Sequence, residues 1–134
     1  MIGLDTNVLV RFLVQDDARQ AAQANAVFAG LTESQPAWLC REVLVELVWV
    51  LERAYGLSRA DIAAAIDDLM ASREIVIETP DRVGLAVERY RQGGAGFSDH
   101  LIALAARDAG CRTTLSFDRQ AVAKAGMTMV PSPA

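Results

Sequence analysis

Four carboxylates draw attention by what lies around them: Asp5, Glu46, Asp99 and Asp118. Asp5 closes a short apolar start, Met1 to Leu4, and opens the helix-start sequence Asp5-Thr6-Asn7. Asp118 follows a second short β-type run through Thr113-Thr114-Leu115, and Asp99 follows the glycine-rich stretch Gly93-Gly94-Ala95-Gly96. Each aspartate has an ordinary explanation as a helix cap or as first-turn charge. Glu46 is different. It stands in Val43-Leu44-Val45-Glu46-Leu47-Val48-Trp49-Val50-Leu51, and its neighbours at helical spacing are Glu42, Val43, Trp49 and Val50. That face reads as largely apolar, and a lone buried carboxylate costs several kcal/mol unless it is paired, protonated or metal-bound. Glu42 is explained by the helix dipole.

Carboxylates gathered in one cleft repel one another and call for a cation. Oxygen-only ligation suits Mg2+ or Mn2+ rather than zinc. The chemistry such a site supports is hydrolysis of a phosphodiester by a metal-activated water, without a covalent intermediate; two ions would lie about 3.5–4 Å apart. Other chemistries lack material. His100 is the one histidine, which leaves little for histidine-based zinc sites or nucleophile–histidine pairs. It reads as a packing or hydrogen-bonding residue. Cys40 and Cys111 have no metal-type spacing and read as small hydrophobes.

The elements that must position these groups alternate. Strands are expected at residues 1–4, 36–40, 74–78, 112–116 and 127–130. Helices are expected at 8–14, 17–32 and 41–55, from the Ser58 cap onward, from Pro80 to 91, from the Ser98 cap to 109, and after Asp118. The glycine stretch reads as a flexible loop, and the tail 131–134 as frayed. Strand–helix alternation implies an α/β fold with a parallel sheet and helices on both faces. Ligands of such sheets bind beyond the carboxyl ends of the strands, where Asp5 and Asp118 fall.

The chain has 134 residues, 52% hydrophobic and 22% charged, which fits one packed domain. The longest apolar run, 43–51, is broken by Glu46 and falls short of the ~18 residues that span a bilayer. The start has neither a basic n-region nor an h-region, so a cytoplasmic protein is expected. The net charge of −4 argues against non-specific nucleic-acid binding, but bound metal ions can present a positive field to phosphates.

The residues resemble the PIN-domain VapC toxins. Asp5-Thr6-Asn7-Val8-Leu9-Val10-Arg11 resembles that family's opening motif. Residues 42–51 resemble its second acidic helix. Phe97-Ser98-Asp99-His100-Leu101-Ile102-Ala103 resembles its third motif, and Leu115-Ser116-Phe117-Asp118 its fourth. Two departures stand out: Ser116 replaces the usual threonine and keeps the hydroxyl, and His100 sits where a small residue is common. The resemblance covers nearly the whole chain in order. It implies a PIN-like three-layer α/β/α fold with a central parallel sheet of four to five short strands. It implies Asp5, Glu46, Asp99 and Asp118 as Mg2+ or Mn2+ ligands or water-positioning groups, with Asn7, Ser116 and Thr6 as supporting polar residues. It also implies an endoribonuclease acting on RNA, a homodimer, and a cognate VapB-like antitoxin. Arg11, Arg41 and Arg119 are candidates to meet phosphate.

Other readings fit less well. A haloacid-dehalogenase-type phosphatase needs a second aspartate where Asn7 stands and a later lysine, and Lys124 is the single lysine. A receiver domain needs an early acidic pair. A catalytically inactive PIN-like binding module is the main alternative, and a DNA-directed nuclease is a variant.

Overall fold

A computed structural model describes residues 1–133 of the chain. Its elements follow in the order β1 (Ile2–Gly3), α1 (Thr6–Val14), α2 (Ala18–Ala29), β2 (Ala37–Leu39), α3 (Arg41–Arg53), α4 (Arg59–Ala71), β3 (Ile75–Ile77), α5 (Pro80–Arg91), α6 (Phe97–Asp108), β4 (Leu115–Ser116), α7 (Arg119–Lys124) and β5 (Thr128–Met129). Every strand pair is parallel, as the alternation predicts. The strands pair as three and two, in the orders β1-β2-β3 and β4-β5, rather than as one continuous ladder. The chain divides into two compact units, Met1–Pro80 and Asp81 onward, and each sheet belongs to one of them.

In the first unit β2 is the central strand. Ala37 pairs with Ile2 on one side and Ile75 on the other, and Leu39 pairs with Ile77. Ala37 and Leu39 are fully buried. Helix α3 presents Leu44, Leu47 and Leu51 to the core, and α4 presents Ile62 and Ile66. These repeats at three and four residues are the apolar stripes of amphipathic helices. Ser58 caps α4 by accepting from Asp61 N–H at 3.1 Å, as its sequence position predicts. Gly56, at φ +61°, closes α3, and Leu57 N–H reaches back to the Leu51 carbonyl.

The second unit is built on α5 and α6. Val83, Val87, Tyr90, Phe97, Leu101 and Leu104 are buried, and the Tyr90 and Phe97 rings meet edge to face at 6.2 Å. Pro80 opens α5, as expected. A smaller cluster of Ala95, Ala121, Ala125 and Met127 ties α7 to the segment before α6.

Some boundaries differ from expectation. Helix α1 starts two residues early because Asp5 is its cap. Helix α6 begins at Phe97, so Ser98 lies inside it instead of capping it. The first strand is not the buried one expected: Ile2 and Gly3 are exposed and only Leu4 is covered. Residues 131–133 are exposed and have no regular structure; residue 134 lies outside the described residues.

Candidate functional site

Asp5 follows the carboxyl end of β1 in extended conformation and starts α1. Its Oδ1 accepts from Thr6 N–H at 2.7 Å. Asp118 follows β4, starts α7, and its Oδ1 accepts from Gln120 N–H at 2.8 Å and Ala121 N–H at 3.1 Å. Asp99 lies in the first turn of α6, half-buried, and its Oδ2 accepts from Gly96 N–H at 2.9 Å. The three aspartates thus share one arrangement. One oxygen satisfies an orphan N–H at a helix start, where negative charge is favoured. The other oxygen has no hydrogen-bond partner among the described residues, and none of the three carboxylates is in an ion pair there.

Glu46 requires a correction. It is exposed on α3, and so are Glu42 and Trp49, the latter at 60%. Of the face read as apolar and buried, only Val43 is buried and Val50 half-buried; Glu42, Glu46 and Trp49 lie on the outside of the helix. Leu44, Leu47 and Leu51 carry the core instead. Trp49 stays outside and lies 6.0 Å from the Arg53 guanidinium. No desolvation argument therefore marks Glu46; its carboxylate is open to any ligand that approaches this face.

The supporting residues fall into place unevenly. Ser116 Oγ accepts from the backbone N–H of Asp118 at 2.9 Å, so this hydroxyl fixes the turn that presents the carboxylate. Thr6 is only 6% exposed, and its Oγ1 is buried without a hydrogen-bond partner among the described residues. An orphaned hydroxyl next in sequence to Asp5 fits a water or another polar ligand. Asn7 is exposed and lines a cavity of about 400 Å3 together with Arg11 and Gln20. His100 is buried at 2% exposure.

Of the arginines, Arg11 is already committed. Its Nε donates to Gln20 at 2.6 Å, and its Nη1 reaches Asp16 at 3.1 Å and the Tyr55 hydroxyl at 3.3 Å. Tyr55 in turn donates to Asp16 Oδ2 at 2.8 Å. That hydroxyl, helped by Arg11 and opposed by desolvation, holds the Asp16 carboxyl below its ordinary value. Desolvation acts to lower the Arg11 pKa, but Tyr55 and Asp16 outweigh it and raise the value. Arg11 is a fastening residue between α1 and the end of α3. Nothing in the local sequence marks Tyr55, 44 residues away, as its partner. Arg41 has a half-buried side chain, and its backbone N–H is held by Glu78 Oε1 at 2.9 Å. Arg119 is exposed directly after Asp118.

The donor chemistry fits a hard divalent cation: carboxylate oxygens, free on one side and not neutralised by arginine or lysine. Asp5 and Glu46 belong to the first unit, and Asp99 and Asp118 to the second. Among the described residues no group of three or more His, Cys, Asp or Glu side chains is gathered closely enough to hold a metal ion.

Comparison with known proteins identifies the family. The family model described as PIN domain matches residues 2–126. A VapC ribonuclease of Aquifex aeolicus (strain VF5) is 26% identical over 118 residues, which cover 87% of each chain. A family match over nearly the full length places the chain in the PIN domain family.

Proposed function

We propose that the chain is a metal-dependent endoribonuclease and the toxin half of a VapBC-like pair, its two units making up one PIN domain. The observation that carries this reading is the shared arrangement of Asp5, Asp99 and Asp118, each held by one oxygen and open at the other. The similarity to a VapC ribonuclease supports it. Asp5, Glu46, Asp99 and Asp118 would hold Mg2+ or Mn2+. Such an ion, when bound, lowers the pKa of a water and offsets charge on a phosphodiester. The chain's own residues do the rest. Hydrogen bonds at the helix starts orient the three aspartates. Ser116 positions Asp118, and the Thr6 hydroxyl and Asn7 offer polar contacts beside Asp5. Arg119, next to Asp118 in sequence, and Arg41 are the arginines proposed to meet phosphate, whereas Arg11 is tied to Gln20, Asp16 and Tyr55.

An RNA substrate, a VapB-like antitoxin, a homodimer and a cytoplasmic setting belong to the same proposal. Among the described residues no helix is long and apolar enough to cross a membrane. The absence of a gathered carboxylate trio keeps a second reading alive, a PIN-like module that binds without cutting. One experiment separates the two. Purified protein is incubated with RNA and, in parallel, single-stranded DNA, with Mn2+ or Mg2+, an EDTA control and the Asp5→Asn variant. Cutting that needs the metal and is lost in the variant supports the nuclease. Absence of cutting together with absence of Mn2+ binding by calorimetry supports the module.

A further inference from the structure

The second unit contains a cavity of about 420 Å3 whose wall carries four cations: Arg89 from α5, Arg107 from α6, Arg112 before β4, and Lys124 at the end of α7. No aspartate or glutamate lines it. Among the described residues none of the four is in an ion pair, although other arginines of the same unit are: Arg82 with Asp108 at 2.8 Å and Arg91 with Glu88 at 2.6 Å. The charge of the chain is sorted accordingly. From Asp81 onward there are seven arginines and lysines against five acids, while Met1–Pro80 carries six against twelve. A protein of net charge −4 thus keeps a cationic concavity uncompensated.

The wall is also built. Gly94 has φ +92°, and a Cβ there would lie 2.5 Å from Lys124 Cγ. The lysine stem therefore runs across bare glycine backbone, which fixes the origin of its ammonium. Thr113 and Thr114 add hydroxyls beside Arg112. Guanidinium groups take phosphate oxygens two at a time, and lysine adds a point charge. The cavity opens at the amino ends of β4 and β5, and Asp118 lies past the carboxyl end of β4. Three residues lie between Thr114 and Asp118, so the two are at most ~14 Å apart. The two places are distinct but within reach of one short stretch of polynucleotide.

We propose that this cavity is an anion site for RNA backbone phosphates, a second anchor that holds the substrate strand away from the cleavage centre. The proposal rests on the ribonuclease reading. An acidic peptide fits less well, because a segment that orders on binding must bury apolar surface and this wall is mainly charged and polar.

The test is a salt titration of single-stranded RNA binding in EDTA, with the full chain and an Arg107→Gln/Arg112→Gln/Lys124→Gln variant. Each phosphate contact contributes about 0.7 to the slope of log K against log salt for single strands. The variant is expected to lose about 2 from the slope and to bind more than tenfold more weakly near 0.1 M salt. A control with Arg19, Arg53 and Arg73 changed to Gln removes the same charge elsewhere and should keep the wild-type slope. Cys111 lines the cavity and is exposed, so RNA should slow its alkylation in wild type and less so in the cavity variant. Melting temperature and circular dichroism check that the variants fold. An unchanged slope in the cavity variant overturns the anchor; if wild type still cuts RNA with Mn2+, the nuclease reading stands without it. A lowered slope with no cutting upholds the anchor and removes the hydrolysis. Loss of pyrophosphate binding in the variant, with wild-type RNA affinity, assigns the cavity to a small phosphorylated ligand and overturns the proposal.

Discussion

Ser116 Oγ accepts a hydrogen bond from the backbone N–H of Asp118 at 2.9 Å. The hydroxyl two residues before the carboxylate therefore sets the turn from which that carboxylate projects. Ser116→Ala is expected to lower metal-dependent cleavage by 10–100-fold, the usual cost of removing a group that orients a metal ligand. Ser116→Thr keeps a hydroxyl in place and should retain most of the activity. Cleavage rates as a function of Mn2+ concentration check this, and equal rates for Ser116→Ala and wild type would remove the positioning role.

Asp5→Asn and Asp118→Asn should abolish cleavage and barely shift the melting temperature. Asparagine caps a helix about as well as aspartate, so the substitution changes charge without uncapping α1 or α7. The corresponding alanine variants should lose about 1 kcal/mol of stability as well. Thermal denaturation of the four proteins, beside an RNA cleavage assay, distinguishes the cap from the ligand.

Glu46→Gln should leave stability unchanged, because the side chain is exposed and makes no hydrogen bond or ion pair among the described residues. A loss of activity with an unmoved melting temperature would place Glu46 in the chemistry. Full activity would leave it an ordinary surface residue.

The Glu46 result also shows where sequence reading reached its limit. Order and type of the elements were legible, because Ser58, Pro80 and Gly56 are local signals and α3 and α4 carry clear apolar periods. The buried face of α3 was not. Its sequence is apolar nearly all round, and only tertiary packing decides that Leu44, Leu47 and Leu51 turn inward and Trp49 stays out. Ser98 looked like a cap by residue type, yet Gly96 and Asp99 begin that helix. The four aspartate and glutamate candidates could be named from their motifs. The fastening of Arg11 by Tyr55 and Asp16, and the cations that meet around one cavity, come from residues far apart in the chain and leave no local trace.

Tyr55→Phe should weaken the fold at neutral pH and not in strong acid. The hydroxyl holds Asp16 below its ordinary pKa, so its stabilisation is present above the unfolded value near 3.9 and is lost as pH falls through the lower folded value. Melting temperatures of wild type and variant should therefore separate above about pH 4 and converge below it. A constant gap down to pH 2 would mean that the loss comes from packing instead.

Gly94→Ala should destabilise the second unit by about 1–2 kcal/mol, the cost of a left-handed residue with a side chain, and displace Lys124 besides. Chemical denaturation measures the first effect. The salt slope of RNA binding measures the second, with an expected loss of about 0.7. A variant as stable as wild type would show that the glycine is not required at this position.

The double duty of the aspartates has a consequence for how such a chain would change over generations. Each serves a helix with one oxygen, so a drift to alanine carries a folding defect along with the lost charge. A drift to asparagine, one nucleotide away in the genetic code, spares the helix and removes only the charge. If the proposed hydrolysis were ever relinquished while the fold was kept for binding, the silent descendants would be expected to carry asparagine at positions 5 and 118 before any other residue.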